Sequence, residues 1–502
     1  MLRCFINGCS LRHSAAMCPF KSCLNSLVAA GCLASAAALP AEPQPATPPQ
    51  IEAVLQDRSP GKVAWKGDLS EMRQRRLIRV LVPNNRTFFF YDGLQPRGLA
   101  YEFMTEFVNK LNAGKSTNAR LYLLFLPSAR DRFIPDIVNG YGDVAVAGLT
   151  ATGSREKAVD FISYDLTMNE IVVTGANAPA LGSVEALAGR QVFVRRSSSY
   201  YESLTALNAQ LQAAGKPPVQ IKLADERLED EDILELAHAG VVPITVVDAY
   251  IAKLWAPVLP NIRVHDDLIV RKDAHMGPIV RKDSVELKKA LAAFMKTHGP
   301  GTTFGNVVIQ RYARDNRWVR NPGTTQDLRR FRQALPSFQK YAKQYEFDYL
   351  LIAAQAYQES RINQKLKSPA GAVGVMQIKP TTAADPNVRI ANVDAMDSNI
   401  HAGVKYLRFV SDRYFGDAEF DELNRHVFAF AAYNAGPARI QDLRTIAAKE
   451  GLDPNEWFNN VEIVAGRKIG RETVDYVRNI LKYWVAYHLA LDPAEDVQRP
   501  AA

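Results

Sequence analysis

A chain of 502 residues, 47% apolar and 23% charged, exceeds what one hydrophobic core usually serves and reads as at least two soluble globular domains. All five cysteines, Cys4, Cys9, Cys18, Cys23 and Cys32, fall within the first 32 residues, which excludes a disulfide framework or a thiolate metal site in the body of the chain. The formal charge of +8 comes from Lys and Arg scattered among acids, without a basic block interleaved with aromatics, so no nucleic acid partner is expected.

The N-terminus reads as a signal or anchor segment over residues 1–41. Arg3, Arg12 and Lys21 precede the apolar, small-residue run SLVAAGCLASAAALPA, and no acid occurs before Glu42, the pattern of an export leader. Removing it takes three positive charges, so +8 − 3 leaves +5. Two exits are open: SAAALPA offers A-x-A-like cleavage near Ala38 or Ala41, whereas VAAGC ends on Cys32, a candidate for lipid attachment with Ala29 where a bacterial lipobox usually has Leu. Met17 is an alternative start, and an unprocessed tail is the plainer reading. No later stretch approaches the roughly 18 apolar residues of a spanning helix, so the remainder is expected to be soluble on the far side of the membrane. The Pro-rich PAEPQPATPPQ opens a spacer, residues 42–76, expected to be extended.

From Leu77 the chain alternates strand-like and helical runs: LIRVLVPN, GDVAVAGLT, NEIVVTG, GRQVFVRR, VQIKLAD and VPITVVDAY. This is an α/β pattern, expected to form two lobes over residues 77–312. The stretches RVLVPNNRTFFFYDGLQPRGLAYEF, NGYGDVAVAGLTATGSREKAVDFISYDL, LAGRQVFVRRSSSYYESL and VVPITVVDAY, in that order, resemble the family 3 extracellular solute-binding proteins. The resemblance implies a two-lobed, periplasmic-binding-protein-like domain whose cleft takes an amino acid or peptide-like ligand. It places Thr150, Thr152 and Arg155 at the ligand carboxylate and Asp248 at the ligand amine. A guanidinium forking onto a carboxylate, opposite an acid, makes a sensible clamp. Asp248 could instead cap the helix AYIAKLW, and Ser198 and Ser199 read as helix caps. An amphipathic helix from about Ser284 is expected to pack back on the first lobe.

RDNRWVRNPGTT supplies charge, Pro and Gly and marks a linker over 313–330. The domain that follows, 331–492 before a tail at 493–502, carries 3.6-residue spacing such as Ile400, Val404, Leu407 and Tyr414, with stops at NAGP and Gly451, and is expected to be rich in α-helix. Asp348 is placed to cap a helix through YLLIAAQAYQES, so that Glu359 emerges at the end of a largely apolar helix. Desolvation raises a carboxyl pKa, and a proton kept near neutrality is what a general acid donates. Small residues in SPAGAVG then leave room beside it.

The motifs QES, SPAGAVGVMQIKPTTA, NIHAGVKYL, AFAAYNAGP and RETVDYVRNI, in order over about 160 residues, resemble the lysozyme-like domain of the soluble lytic murein transglycosylases. The resemblance makes Glu359 the sole catalytic acid and base, and it puts Ser368, Gln377, Tyr433, Asn434 and Glu472 where they orient the glutamate or line a glycan groove. Gln377 also reads as a turn-stabilising amide, and Asn434 as a helix-ending residue. Two positions depart from the family pattern: Lys379, where Met often follows Gln-Ile, and Ile362, where an aromatic is usual. The eight histidines are dispersed; no metal and no cofactor is assigned.

What the resemblance implies is a periplasmic enzyme attached to the outer membrane of a Gram-negative bacterium and acting on peptidoglycan strands. Glu359 would protonate the β-1,4 oxygen between N-acetylmuramic acid and N-acetylglucosamine. It would then take the proton of the 6-hydroxyl as a 1,6-anhydro ring closes. A hydrolytic muramidase with a second carboxylate and a non-catalytic envelope sensor are the alternatives.

Overall fold

The computed structural model describes residues 63–313 and 325–490, apart from 93–94, 164–166, 177 and 417–418. The expected leader with Cys32, the Pro-rich start of the spacer, most of the expected linker and the tail lie outside the described residues. The chain is already folded upstream of Leu77, where its composition predicts an extended spacer. A helix, Leu69–Arg75, starts at Asp68, whose carboxylate and that of Glu71 form a reciprocal capping box, and it buries Leu69 and Met72. The D-x-x-E spacing before an apolar residue is the local cause.

The first lobe is built on a five-stranded sheet in the order β4-β1-β5-β12-β6, with β1 Leu77–Val82, β4 Tyr122–Pro127, β5 Val144–Thr150, β6 Val159–Phe161 and β12 Met276–Arg281, and a separate ribbon pairs β2 Phe90–Asp92 with β3 Gln95–Arg97. β1 lies parallel to both β4 and β5. It is covered on both faces, which is why LIRVLV is nearly continuously apolar. Helices Leu99–Leu111 and Val285–His298 share its core, with the Phe107 and Phe294 rings 5.4 Å apart. The expected return of the chain to this lobe is thus made by the Val285–His298 helix.

Arg79 interrupts the apolar run and is buried, 1% exposed, against Asp143 at 0%. Its Nη2 lies 2.9 Å from Asp143 Oδ1, and its backbone N–H donates to Oδ2 at 2.8 Å. Arg75 also pairs with this carboxylate, and Arg281 Nη1 lies 3.9 Å away. One acid therefore serves three guanidinium groups at the crowded basic end of the lobe.

The second sheet runs β11-β7-β10-β8-β9, formed by β7 Met168–Thr174, β8 Gln191–Arg195, β9 Gln220–Ala224, β10 Ile244–Asp248 and β11 Arg263–Ala274. The chain crosses between lobes twice, from β6 to β7 and from β11 to β12. The lobes touch through side chains: Asn85 Nδ2 donates to Glu229 Oε2 at 2.8 Å, and Arg130 Nη2 pairs with the same oxygen at 2.7 Å.

The C-terminal half is helical, including Thr325–Tyr345, which begins inside the expected linker, then Tyr349–Ser360, Met396–Tyr414, Glu422–Ala435, Pro437–Lys449, Glu462–Ile469 and Arg471–Ala490. In Tyr349–Ser360 every residue from Leu350 to Tyr357 is buried, so it is the central helix of this half. Asp348 caps it, accepting from Leu350 N–H at 2.8 Å, and its other oxygen accepts from Trp484 Nε1 at 2.8 Å. The last helix, Arg471–Ala490, packs on the central one, with the Tyr357 and Tyr483 rings 4.8 Å apart.

That last helix also faces the two-lobed half. Arg86 Nη2 meets Asp475 Oδ2 at 2.6 Å, the Arg471 guanidinium lies 4.4 Å from the Phe90 ring centroid, and Lys482 pairs with buried Glu235. Ala486 packs with Phe193 and Leu228. Charged positions 471, 475, 478 and 482 form one stripe at i, i+4, i+7 and i+11.

Because Asp143→Ala leaves Arg79 buried without its carboxylate, this substitution should destabilise the fold by about 3–5 kcal/mol. Denaturant midpoints for the two proteins check it.

Candidate active site

Glu359 lies in the last turn of the central helix, half-buried. The helix stops immediately beyond it: Arg361 and Ile362 both take left-handed backbone angles, with φ of 55° and 54°. For a β-branched residue such as Ile362 this conformation costs on the order of 1–3 kcal/mol, offset by complete burial of its side chain. The reversal carries the chain toward the turn 366–378, which Ser360 ties to the end of the helix.

Tyr476, from the last helix, donates its phenol O–H to Glu359 Oε1 at 2.6 Å, and Gln355 Nε2 donates to the Tyr476 oxygen at 3.1 Å. Burial pushes the Glu359 carboxyl up from near 4.5 to about 7, against the Tyr476 hydrogen bond, which pulls it down. The carboxyl therefore keeps a substantial protonated fraction at neutral pH, and its ionised form has a donor waiting. Tyr433 is the second phenol of the site. Its O–H donates to the Met376 carbonyl at 2.7 Å, and burial, then the nearby Glu359 charge, hold it well above the usual phenol range.

The turn 366–378 is tied down on several sides. Ser360 Oγ donates to Val375 O at 2.7 Å. Asn399 accepts from Met376 N–H at 2.8 Å and donates to Val373 O at 2.9 Å. Gly374 has φ +76°, and a Cβ there would lie 2.4 Å from Asn399 Nδ2, so the close approach admits only glycine.

Of the residues singled out from sequence, Glu359 and Tyr433 come together. Ser368 and Gln377 hold the turn itself: Ser368 Oγ accepts from Ala372 N–H at 3.0 Å, and Gln377 Nε2 donates to Gly374 O at 2.8 Å and Leu366 O at 3.2 Å. Asn434 Oδ1 accepts from Thr473 Oγ1 at 2.7 Å, pinning the end of one helix to the start of the last. Glu472 is exposed at the rim of a cavity between the two halves. Lys379 is exposed. Tyr476, Gln355 and Asn399 escape the sequence reading; Tyr476 lies inside RETVDYVRNI, and only its position four residues after Glu472 hints at a face shared with that residue.

In the two-lobed half, Thr150 and Thr152 are buried beside Arg155. Thr152 Oγ1 caps the short helix carrying Arg155, and the Thr150 carbonyl accepts from Arg155 Nη1 at 3.1 Å. Arg155 reaches across to the other lobe, donating from Nη2 to Ser197 O at 2.8 Å and pairing through Nε with Glu202 at 3.0 Å. Its guanidinium is thus already engaged. Asp248 sits at the N-cap of AYIAKLW but makes no side-chain cap bond, so the capping reading is corrected. Its Oδ2 accepts from Tyr200 at 3.1 Å, and buried Oδ1 has no hydrogen-bond partner among the described residues. Burial, then Glu170 and Asp230, hold its carboxyl well above the usual range.

The raised Glu359 carboxyl makes a stability prediction with a definite sign. The folded state keeps the proton over a range where the unfolded chain has lost it, so stability falls as pH rises from about 4.5 to about 7. Glu359→Gln should therefore raise the thermal midpoint at pH 8, and the gain should vanish below pH 4.5; calorimetry at the two pH values checks it.

Residues 336–456 match the transglycosylase SLT domain, and residues 78–300 match the bacterial extracellular solute-binding proteins, family 3. A protein of Desulfosudis oleivorans named membrane-bound lytic murein transglycosylase F is 28% identical over 453 residues, covering 84% of this chain and 94% of its own. Its namesake in Pseudomonas fluorescens strain Pf0-1 is 27% identical over 455 residues, covering 84% and 87%. A solved amino acid ABC transporter substrate-binding protein of Streptococcus pneumoniae, bound to L-arginine, is similar to 49% of this chain over 98% of its own, with 17% identity and a TM-score of 0.40. The chain thus joins a family 3 solute-binding domain to a transglycosylase SLT domain, the second of which makes it a lytic transglycosylase enzyme.

Proposed function

We propose that Glu359 acts alone as acid and then base on peptidoglycan. It cleaves the β-1,4 bond between N-acetylmuramic acid and N-acetylglucosamine and leaves a 1,6-anhydro end on the muramoyl sugar. The observation that supports this reading is Glu359 itself, a carboxyl at the end of the central helix that burial pushes up to about 7 and that the Tyr476 phenol meets at 2.6 Å. Glycosidases that use water place two carboxyl groups about 5–9.5 Å apart across the bond. A lone acid has to serve both steps.

In the first step the Glu359 proton passes to the glycosidic oxygen, and the C–O bond to the muramoyl anomeric carbon breaks as the sugar's own N-acetyl oxygen attacks that carbon. Glu359 is now ionised and held by the Tyr476 O–H. In the second step it takes the proton of the 6-hydroxyl, whose oxygen displaces the N-acetyl oxygen and closes the ring, so the carboxyl is protonated again at the end. Tyr433 walls the reacting sugar and helps to exclude water. Ser368 and Gln377 shape the turn that borders the groove, Asn434 fixes the helix end beside it, and Glu472 stands at its rim.

The solute-binding domain takes a small amino-acid or peptide-like ligand that regulates the enzyme through its differential affinity for two arrangements of the lobes. The ligand carboxylate goes to Arg155, beside Thr150 and Thr152, and its amine to Asp248, where the unpartnered Oδ1 offers an acceptor. To reach Arg155 the carboxylate must displace Glu202. The export pattern of residues 1–41 and the membrane-bound relatives support a periplasmic enzyme attached to the outer membrane of a Gram-negative bacterium, through Cys32 or otherwise. The domain boundaries read from sequence remain part of this proposal. A hydrolytic muramidase would need a second carboxylate across the bond, and a purely sensory role leaves a protonated, phenol-bonded carboxyl without use.

Glu359→Gln should fold normally and lose sacculus cleavage by about 10²–10⁴-fold. Retention of more than about a tenth of the activity, far outside that range, would remove Glu359 from its role. In the wild type, cleavage should decline as pH rises through about 7, because the acid form is the one consumed. For the regulatory ligand, calorimetry with free amino acids and short peptides should find binding abolished by Arg155→Ala and tightened by Glu202→Gln. Equal binding by wild type and Arg155→Ala would sink that assignment.

A further inference from the structure

Between Leu350 and Tyr357 the buried run of the central helix carries a single amide, Gln355, which is 0% exposed. Burying an amide is costly unless its groups are hydrogen-bonded, and here half of it is not. Nε2 donates to the Tyr476 oxygen at 3.1 Å, while Oε1 is buried without a hydrogen-bond partner among the described residues. Packing alone therefore favours an apolar side chain at this position, and the one bond the amide makes is the place to look for its use.

Gln355 and Glu359 stand one helical turn apart on the same face, and both reach one phenol on the last helix. The Tyr476 O–H donates to Glu359 Oε1 at 2.6 Å, and Glu359 Oε2 has no hydrogen bond among the described residues. A phenol has one proton and an oxygen that also accepts, so Tyr476 by itself can serve the carboxyl in two directions. It can donate to Glu359, or it can accept the proton of the carboxylic acid and turn its own elsewhere. An amide N–H already pointing into the phenol oxygen selects the first. Burial, then the charge and the hydrogen bond of Glu359, hold the Tyr476 phenol well above the usual range, and the Gln355 bond pulls the other way, which makes the phenol a stronger donor.

We propose that Gln355 is a positioning residue for the acid: by donating to the Tyr476 oxygen it fixes the chain Gln355 Nε2–H, Tyr476 O–H, Glu359 Oε1 in one direction, so that the exchangeable proton is carried on Oε2. The inference rests on the reading of Glu359 as the group that gives and then takes a proton, and it assigns both transfers to one oxygen. The proton leaves Oε2 for the glycosidic oxygen, the 6-hydroxyl proton returns to Oε2, and Tyr476 keeps its own throughout. Without Gln355, protonated Glu359 can direct its proton to the phenol instead of the sugar.

The test follows the ionisation of Glu359 by carbon-13 NMR of the full chain labelled at the glutamate carboxyls, its signal identified by its loss in Glu359→Gln. The titratable groups that bear on this carboxyl are Tyr476 from the last helix and Tyr433 from Glu422–Ala435, both held protonated far above the range titrated. Gln355→Met, which keeps the side-chain length and removes both polar groups, should raise the proton affinity of Glu359 by roughly two- to tenfold, the worth of one neutral hydrogen bond. Tyr476→Phe should raise it as well, and adding Gln355→Met to that protein should change nothing further. In sacculus digestion Gln355→Met should lower kcat several-fold with KM unchanged, because a fully buried amide does not touch the glycan. Gln355→Leu should repeat both results. A Glu359 titration that is unmoved or lowered in these variants, or that shifts as much in the Tyr476→Phe background, overturns the proposal and leaves Glu359 as the acid. Failure of both variants to fold overturns it too, since the amide would then be structural. Activity retained in Glu359→Gln would remove the acid and leave the titration as it is.

Discussion

A carboxyl group has to be buried deeply enough to keep its proton near neutrality, and most of the helical half can be understood from that constraint. Glu359 achieves it at the end of a helix whose preceding residues, Leu350 to Tyr357, are all inside the core. Such a helix cannot be held by an amphipathic face alone, so both ends are fixed by polar contacts. Asp348 caps the start and ties it to Trp484, and Ser360 ties the end to the Val375 carbonyl. The left-handed Arg361 and Ile362 then turn the chain away before it covers the acid. Strain of this kind is tolerated where the surrounding structure over-determines it.

The same helix that supplies Tyr476 to the acid carries the contacts to the solute-binding half. Arg471, Asp475 and Lys482 lie on one stripe and Tyr476 on the neighbouring one, so a single rigid element joins the two regions. Lys482 and Glu235 are both nearly fully buried in their pairing, and breaking such a pair leaves an uncompensated charge at a cost of about 3–5 kcal/mol. The lobes therefore meet the catalytic half through an element that bears directly on the phenol holding Glu359. Within the lobes, Glu202 of the second pairs with Arg155 of the first, so that guanidinium is neutralised by the chain itself.

Much of this is legible in the amino-acid sequence. The apolar runs that form β1, β5, β7 and β10 are long enough to be buried strands, and the spacing from Asp348 to Glu359 describes a capped helix. The turn chemistry around Gln377 can be read in two ways, and its amide holds the turn. What is not legible depends on partners far apart in the chain. Nothing near Tyr476 says that its phenol reaches a carboxylate 117 positions earlier, and nothing near Arg155 says that Glu202 of the other lobe will neutralise it. Asp248 looks like a cap because caps are local, but its carboxylate turns to Tyr200 across the lobe. The helix at Leu69–Arg75 is hidden beside a Pro-rich run, although its capping box is present in the letters.

The central claim is that one half-buried carboxyl first gives a proton and then takes the sugar's own. Digestion of purified sacculi in water enriched in heavy oxygen, followed by mass spectrometry of the released muropeptides, tests it most directly. The account predicts fragments ending in 1,6-anhydro-N-acetylmuramic acid, lighter by one water than hydrolysed fragments and free of label. Reducing ends that carry heavy oxygen would mean that water attacked the anomeric carbon, and Glu359 would then need a second carboxylate beside it.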